Sequence, residues 1–91
     1  MGAAPRNVVF APSFDKAILQ FGGYMFLAPI LSPVIDALRS DPYGFELVED
    51  DWIPLCRWAR TKAVGRLPEF LILFTIENTG DVVLRDVFEP L

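Results

Sequence analysis

Histidine is absent from the 91 residues, and cysteine occurs once, as Cys56. Without histidine there is no Ser-His-Asp or Cys-His nucleophile pair and no imidazole metal ligand. A single thiol closes no internal disulfide and builds no metal cluster, so Cys56 reads as a small buried hydrophobe in a reducing, cytoplasmic setting. Charge is also sparse, at 22% of residues against 53% hydrophobic. Intrinsic disorder needs the opposite balance. Basic charge is the scarcer sign, with 8 Lys and Arg against 12 Asp and Glu for a net −4. The chain as a whole therefore does not draw nucleic acid to itself, which takes clustered Lys and Arg.

Long apolar runs are few. Residues 17–35 carry no charge, and about 18 such residues is where a membrane span becomes conceivable. Gln20, Gly22, Gly23, Pro29, Ser32 and Pro33 interrupt the run, however, and a buried helical hairpin accounts for it better. No membrane partner is expected. Residues 1–10 have no apolar core of signal-peptide length, and Arg6 breaks the myristoylation pattern. What is present is enough for one domain spanning residues 1–91. A domain this small buries only about 60–65% of its unfolded surface, so part of the apolar excess is expected to meet a partner.

The pattern along the chain alternates sharply. Residues 6–11 are β-rich and close at Pro12, which predicts a first strand. Ser13 suits an N-cap, Asp15 falls in the first turn, and Phe14, Ala17, Ile18 and Phe21 recur at helical spacing. Gly22-Gly23 stops that helix. Helical character resumes near Tyr24, with Ser32-Pro33 as a second start signal and Asp41-Pro42 as the end. Residues 41–51 read as a loop turning at Tyr43-Gly44. Residues 52–61 are the next strand candidate, restricted by Pro54. Residues 70–76, apolar on both faces, predict a central strand covered on both sides. A hairpin turn follows at 77–81, with Gly80 at the position needing positive φ, and then a last strand at 82–88.

Strand, helix, helix, strand, strand, strand is the resulting order. Together with VVFAPSFDKAI (residues 8–18), VIDALRSDPYG (34–44), LCRWAR (55–60), FLILFTIEN (70–78) and VVLRDVFE (82–89), it resembles the RelE/ParE superfamily of type II toxin–antitoxin toxins, of the plasmid-stabilisation type. The resemblance implies an α+β fold, a small curved antiparallel sheet with a helical hairpin packed on one face. It also implies a bacterial, cytoplasmic toxin-like component that inhibits growth through a macromolecular target such as the ribosome or gyrase and is neutralised by a bound antitoxin. No cofactor is implied. Ribonuclease members use sheet-borne Lys and Arg with a C-terminal Tyr, Arg or His. Here Leu71 stands where the resemblance places an arginine, and the chain closes on Val87-Phe88-Glu89-Pro90-Leu91. The balance therefore leans away from an enzyme, and catalytic residues are not assigned. Two alternatives stand beside the toxin reading. One is a non-enzymatic interaction domain forming a homo-oligomer, and the other is a ribosome-dependent mRNA endoribonuclease.

Several constellations are candidates for contact. Arg57, Arg60, Lys62 and Arg66 fall within ten positions, and Arg85 is the remaining group available to a phosphate or target. Trp52 and Trp58 lie near enough in sequence to stack on bases. Strict strand alternation nevertheless sends Arg57 to the face opposite Arg60 and Lys62. Phe70, Ile72, Phe74 and Ile76 are the expected core row, facing Phe14, Ile18, Ile35 and Leu38. Leu71 and Leu73 then point away and, beside Trp58, form a candidate partner-binding patch for an antitoxin segment or a second copy. Residues 24–31 are the most apolar stretch, suited either to the hairpin core or to a partner groove. The carboxylates Glu49, Asp50, Asp51, Asp81 and Asp86 have no metal-loop spacing, so no metal is expected.

Overall fold

The computed structural model describes residues 6–48 and 56–90. The chain runs through β1 (Val8–Phe10), α1 (Pro12–Gln20), α2 (Tyr24–Ser40), a single 3-10 turn (Pro42–Gly44), β2 (Glu46–Leu47), β3 (Cys56–Arg60), β4 (Leu71–Ile76) and β5 (Val82–Phe88). Sheet order is β1-β5-β4-β3-β2. The α+β class and the helical hairpin on a curved sheet are as expected, with one refinement. The sheet is mixed, because β1 lies parallel to β5 while the other pairs are antiparallel. The two-residue β2 adds an edge strand inside the segment expected to be loop. Trp52, Pro54 and the carboxylates Glu49, Asp50 and Asp51 fall outside the described residues.

α1 begins two residues earlier than Ser13 suggests. Ala11 is the N-cap and Pro12 the first helical residue, where a missing N–H costs nothing and the ring's fixed φ suits the helix. The Ser13 hydroxyl instead donates to the Arg85 carbonyl at 2.5 Å, tying the first turn to β5. Gly22 and Gly23 take φ values of 117° and 93°, conformations that L side chains rarely adopt. They let the chain reverse between the helices, so the uncharged stretch becomes a hairpin, and no helix among the described residues is long and apolar enough to cross a membrane.

α2 does not restart at Ser32-Pro33; it is one continuous helix of 17 residues with Pro29 and Pro33 inside it. Each proline removes one backbone hydrogen bond and crowds the carbonyl four residues back. Both prolines are exposed, and they lie four residues apart, on the outer face where water can satisfy the freed carbonyls of Met25 and Pro29. The buried Leu27, Ile30, Leu31, Val34 and Leu38 keep the inner face apolar through the interruption. Asp41 then leaves the helix at φ −151° and ψ 78°, the extended region to which a following proline confines it.

One core holds the layers together. Phe14 and Ile18 of α1 and Leu27, Ile30, Leu31, Val34 and Leu38 of α2 pack on Ala59, Phe70, Ile72, Phe74, Val82, Leu84 and Val87, with Ile35 and Ile76 partly buried at its margin. The expected row Phe70, Ile72, Phe74, Ile76 thus faces the helices. β4 occupies the centre of the sheet, but both helices sit on this single face, so β4 is not sandwiched between two helical layers. The β3–β4 ladder closes at Thr61, fully buried. Its hydroxyl accepts the Phe70 amide at 2.8 Å and its own amide donates to the Phe70 carbonyl at 2.9 Å. At the other end the 77–81 turn forms as the sequence indicates, with Gly80 at φ 93° and its amide donating to the Glu77 carbonyl.

Candidate functional site

Register pairing defines the sheet face turned away from the helices, because directly opposed residues share a face. Three rows cross it. Val9, Val83, Thr75 and Cys56 make the first; Asp86, Leu73, Trp58 and Glu46 the second; Phe88, Leu71 and Arg60 the third. Among the described residues no helix lies on this face. Val9 and Phe88 are exposed, while Trp58, Leu73, Thr75 and Val83 are half-buried. The face is therefore mainly apolar, with its charge at Glu46, Arg60, Arg85 and Asp86.

Arg85 is there because β5 is irregular. The β4–β5 register shifts between Leu73 and Phe74, so Leu73 opposes Asp86 while Phe74 opposes Leu84, leaving Arg85 as the extra residue of a bulge. A bulge places two consecutive side chains on one side and bends the strand. Strict alternation would have turned Asp86 inward and Val87 outward. With the bulge, Val82, Leu84 and Val87 all face the core, at 0%, 0% and 3% exposure, and Arg85 and Asp86 are both exposed. The spacing of Val82, Leu84 and Val87, two residues and then three, is the signal in the sequence that marks it.

The basic residues do not gather into one phosphate site. Arg57 lies across from Phe74 on the core side, where its guanidinium donates to the carbonyls of Tyr43 (3.3 Å) and Phe45 (2.5 Å) and sits 5.4 Å from the Tyr43 ring centre. It clamps the segment leading into β2. Arg60, on the open face, pairs with Glu69 at 3.2 Å. Arg85 donates through Nε to the Thr75 hydroxyl at 3.0 Å and through Nη2 to Glu77 at 2.6 Å. Lys62 and Arg66 follow β3 in the exposed connection to β4. Among the described residues no three Cys, Asp or Glu side chains cluster as metal ligands.

The partner-binding candidates also separate. Leu73 is half-buried and Trp58 likewise, its indole N–H donating to Glu46 at 3.4 Å. Leu71, expected to stand bare, is only 6% exposed. Its direct cross-strand neighbours are Arg60 and Phe88, whose long side chains stand on either side of it. The bare pair of leucines is thus replaced by a patch of Trp58, Leu73, Val83 and Phe88. Nucleophiles are as poorly placed as cations. Cys56 belongs to this face by register but is 2% exposed, and burial pushes its thiol up from the ordinary value, away from the reactive thiolate. Tyr24 lies on the helical side, where burial, then a hydrogen bond to Asp15 and the charge of that carboxylate, push its hydroxyl up.

Set against known protein families, curated proteins and solved structures, the chain matches none of them.

Proposed function

We propose that this chain is the toxin-like component of a bacterial two-protein growth-control module, acting by binding its target rather than by cutting RNA. An antitoxin segment on the open sheet face holds it inactive. The observation that carries the binding half of this reading is the content of that face, where Trp58, Leu73, Val83 and Phe88 form the surface and both nearby arginines already have carboxylate partners. The RelE/ParE resemblance of the sequence supplies the toxin half. A ribonuclease needs charge stabilisation at the phosphate and a proton donor or acceptor beside it. Histidine is absent, the thiol is buried, and the one strongly shifted hydroxyl sits behind the sheet.

Inducible expression in a bacterial host, with and without the adjacent gene, tests the proposal. Growth should stop with the chain alone and resume with its neighbour, while primer extension on ribosome-bound messages shows no new cuts. Codon-linked cuts that vanish in Arg60→Ala would establish the ribonuclease instead. Undisturbed growth would leave a plain interaction domain.

A further inference from the structure

A groove runs between α2 and the connection from β3 to β4, with a volume of about 350 Å³, at the lower end of the range for small-molecule sites. α2 supplies one long wall. Pro29, Ile30, Pro33, Val34 and Ala37 all line the groove, a stripe at helical spacing about 12 Å long. Ile30 and Val34 are buried at its base, while Pro29, Pro33 and Ala37 are exposed along it. The two prolines cost the helix backbone hydrogen bonds, and because both are exposed, core packing does not offset that loss. In the groove their rings have a use. They are rigid, and a side chain with no rotamers to lose holds a ligand without an ordering cost. Phe45 adds an aromatic surface, its ring fixed edge-on to Phe74 at 5.7 Å.

The charge lies on the side away from α2. β2 pairs with β3 only as far as Glu46 and Trp58, so Arg60 stands at the sheet's edge and borders the groove as well as the open face. It lines the groove together with Lys62 and Val64. Both charged residues there are cations and no Asp or Glu of the described residues lines it, although the chain carries a net −4. Glu69 engages Arg60 through Nη1 at 3.2 Å, which leaves the other donors of the guanidinium. Among the described residues no ion pair involves Lys62. We infer that this groove binds one small monocarboxylate with an unbranched apolar tail, the carboxylate on Lys62 and Arg60 and the tail along the α2 stripe. A wall about 12 Å long matches a tail of about eight to ten carbons. An organic cation of the same length would be repelled, and a neutral molecule would gain the apolar wall without the two cations. Charge is what selects the acid.

Isothermal titration calorimetry of the full chain with sodium decanoate, below the concentration at which it forms micelles, is the direct test. One molecule should bind per chain, with a dissociation constant on the order of 0.1 mM. Octanoate should bind about fifteenfold more weakly, as two methylenes fewer predict. Lys62→Glu should weaken decanoate about tenfold and leave the weaker binding of decan-1-ol unchanged. Ala37→Trp and, from the facing side, Val64→Trp should each fill the groove and abolish binding of both molecules, with circular dichroism unchanged because both positions are exposed. Failure of decanoate to bind up to about 10 mM overturns the inference. Equal affinity for decan-1-ol and decanoate overturns it too, because the cations then play no part. So does decanoate binding that Lys62→Glu or both tryptophan variants leave at full strength, which would place the acid elsewhere on the chain. Growth inhibition does not enter the readout, so the result is independent of the toxin proposal.

Discussion

Tyr24 shows how one residue fixes both a contact and a pH response. Its ring stacks on Phe10 at 5.4 Å between centres, and its hydroxyl donates to Asp15 across the hairpin. Burial, reinforced by that carboxylate, raises the hydroxyl's pKa above the ordinary 10.0. A raised folded-state pKa means that the neutral phenol's contribution is complete below pH 10 and drains away as pH climbs toward the folded value. Cys56, raised from an ordinary 9.0, adds a loss of the same sign. Tyr24→Phe should cost about 1 kcal/mol near pH 7, the worth of a partly buried hydrogen bond. It should also flatten the decline in stability as pH rises above 10. Urea melts across that range check both, and parallel profiles for the two proteins would refute the coupling.

Among the elements, β5 carries the most information per residue, because its bulge decides which side chains reach the core. If the bulge is right, Val87→Ala removes buried surface and costs about 1–2 kcal/mol, while Asp86→Ala, on the exposed side, costs less than about 1 kcal/mol. A regular strand would reverse that order, and denaturant midpoints of the two variants distinguish the cases. The same strand shows what a sequence makes legible. Its span of 82–88 is plain from β-rich residues between turn signals, but alternation alone misplaces Asp86 and Val87. α2 fails differently: Ser32-Pro33 has the chemistry of a helix start, yet the apolar stripe from Leu27 to Leu38 keeps one helix running through it. Burial outweighs a local signal there. The Gly22-Gly23 stop, the Asp41-Pro42 end and the Gly80 turn were legible because backbone geometry leaves few alternatives. The candidate site was less so. Which basic residues find carboxylates, and that Leu71 ends up between Arg60 and Phe88, follow from strand register, which no single stretch of sequence states.

For the molecule as a whole, the governing fact is that the sheet has helices on one side. The helix-borne core residues belong to one buried cluster with Ile72, Phe74, Val82, Leu84 and Val87, so apolar burial is concentrated on that face, and among the described residues no helix covers the other. Adjacent residues of β4 report the difference. Phe74 is fully buried, with its ring 5.7 Å from that of Phe45 in an edge-on contact. Its neighbour Leu73 is half-buried, on the open face. Phe74→Ala should cost about 3–5 kcal/mol, the usual loss for a buried phenylalanine. A domain of this size has a total stability of about 5–15 kcal/mol, so that variant stands at the edge of unfolding. Leu73→Ala keeps part of its hydration in either state and leaves no closed cavity, so its cost should stay below about 1.5 kcal/mol. Guanidinium melts followed in parallel by far-ultraviolet circular dichroism and tryptophan fluorescence should give coincident transitions for the wild type, as one shared core requires. Equal losses at the two positions would mean that the second face is packed as well, and the open-face reading would then fail together with the binding surface built on it.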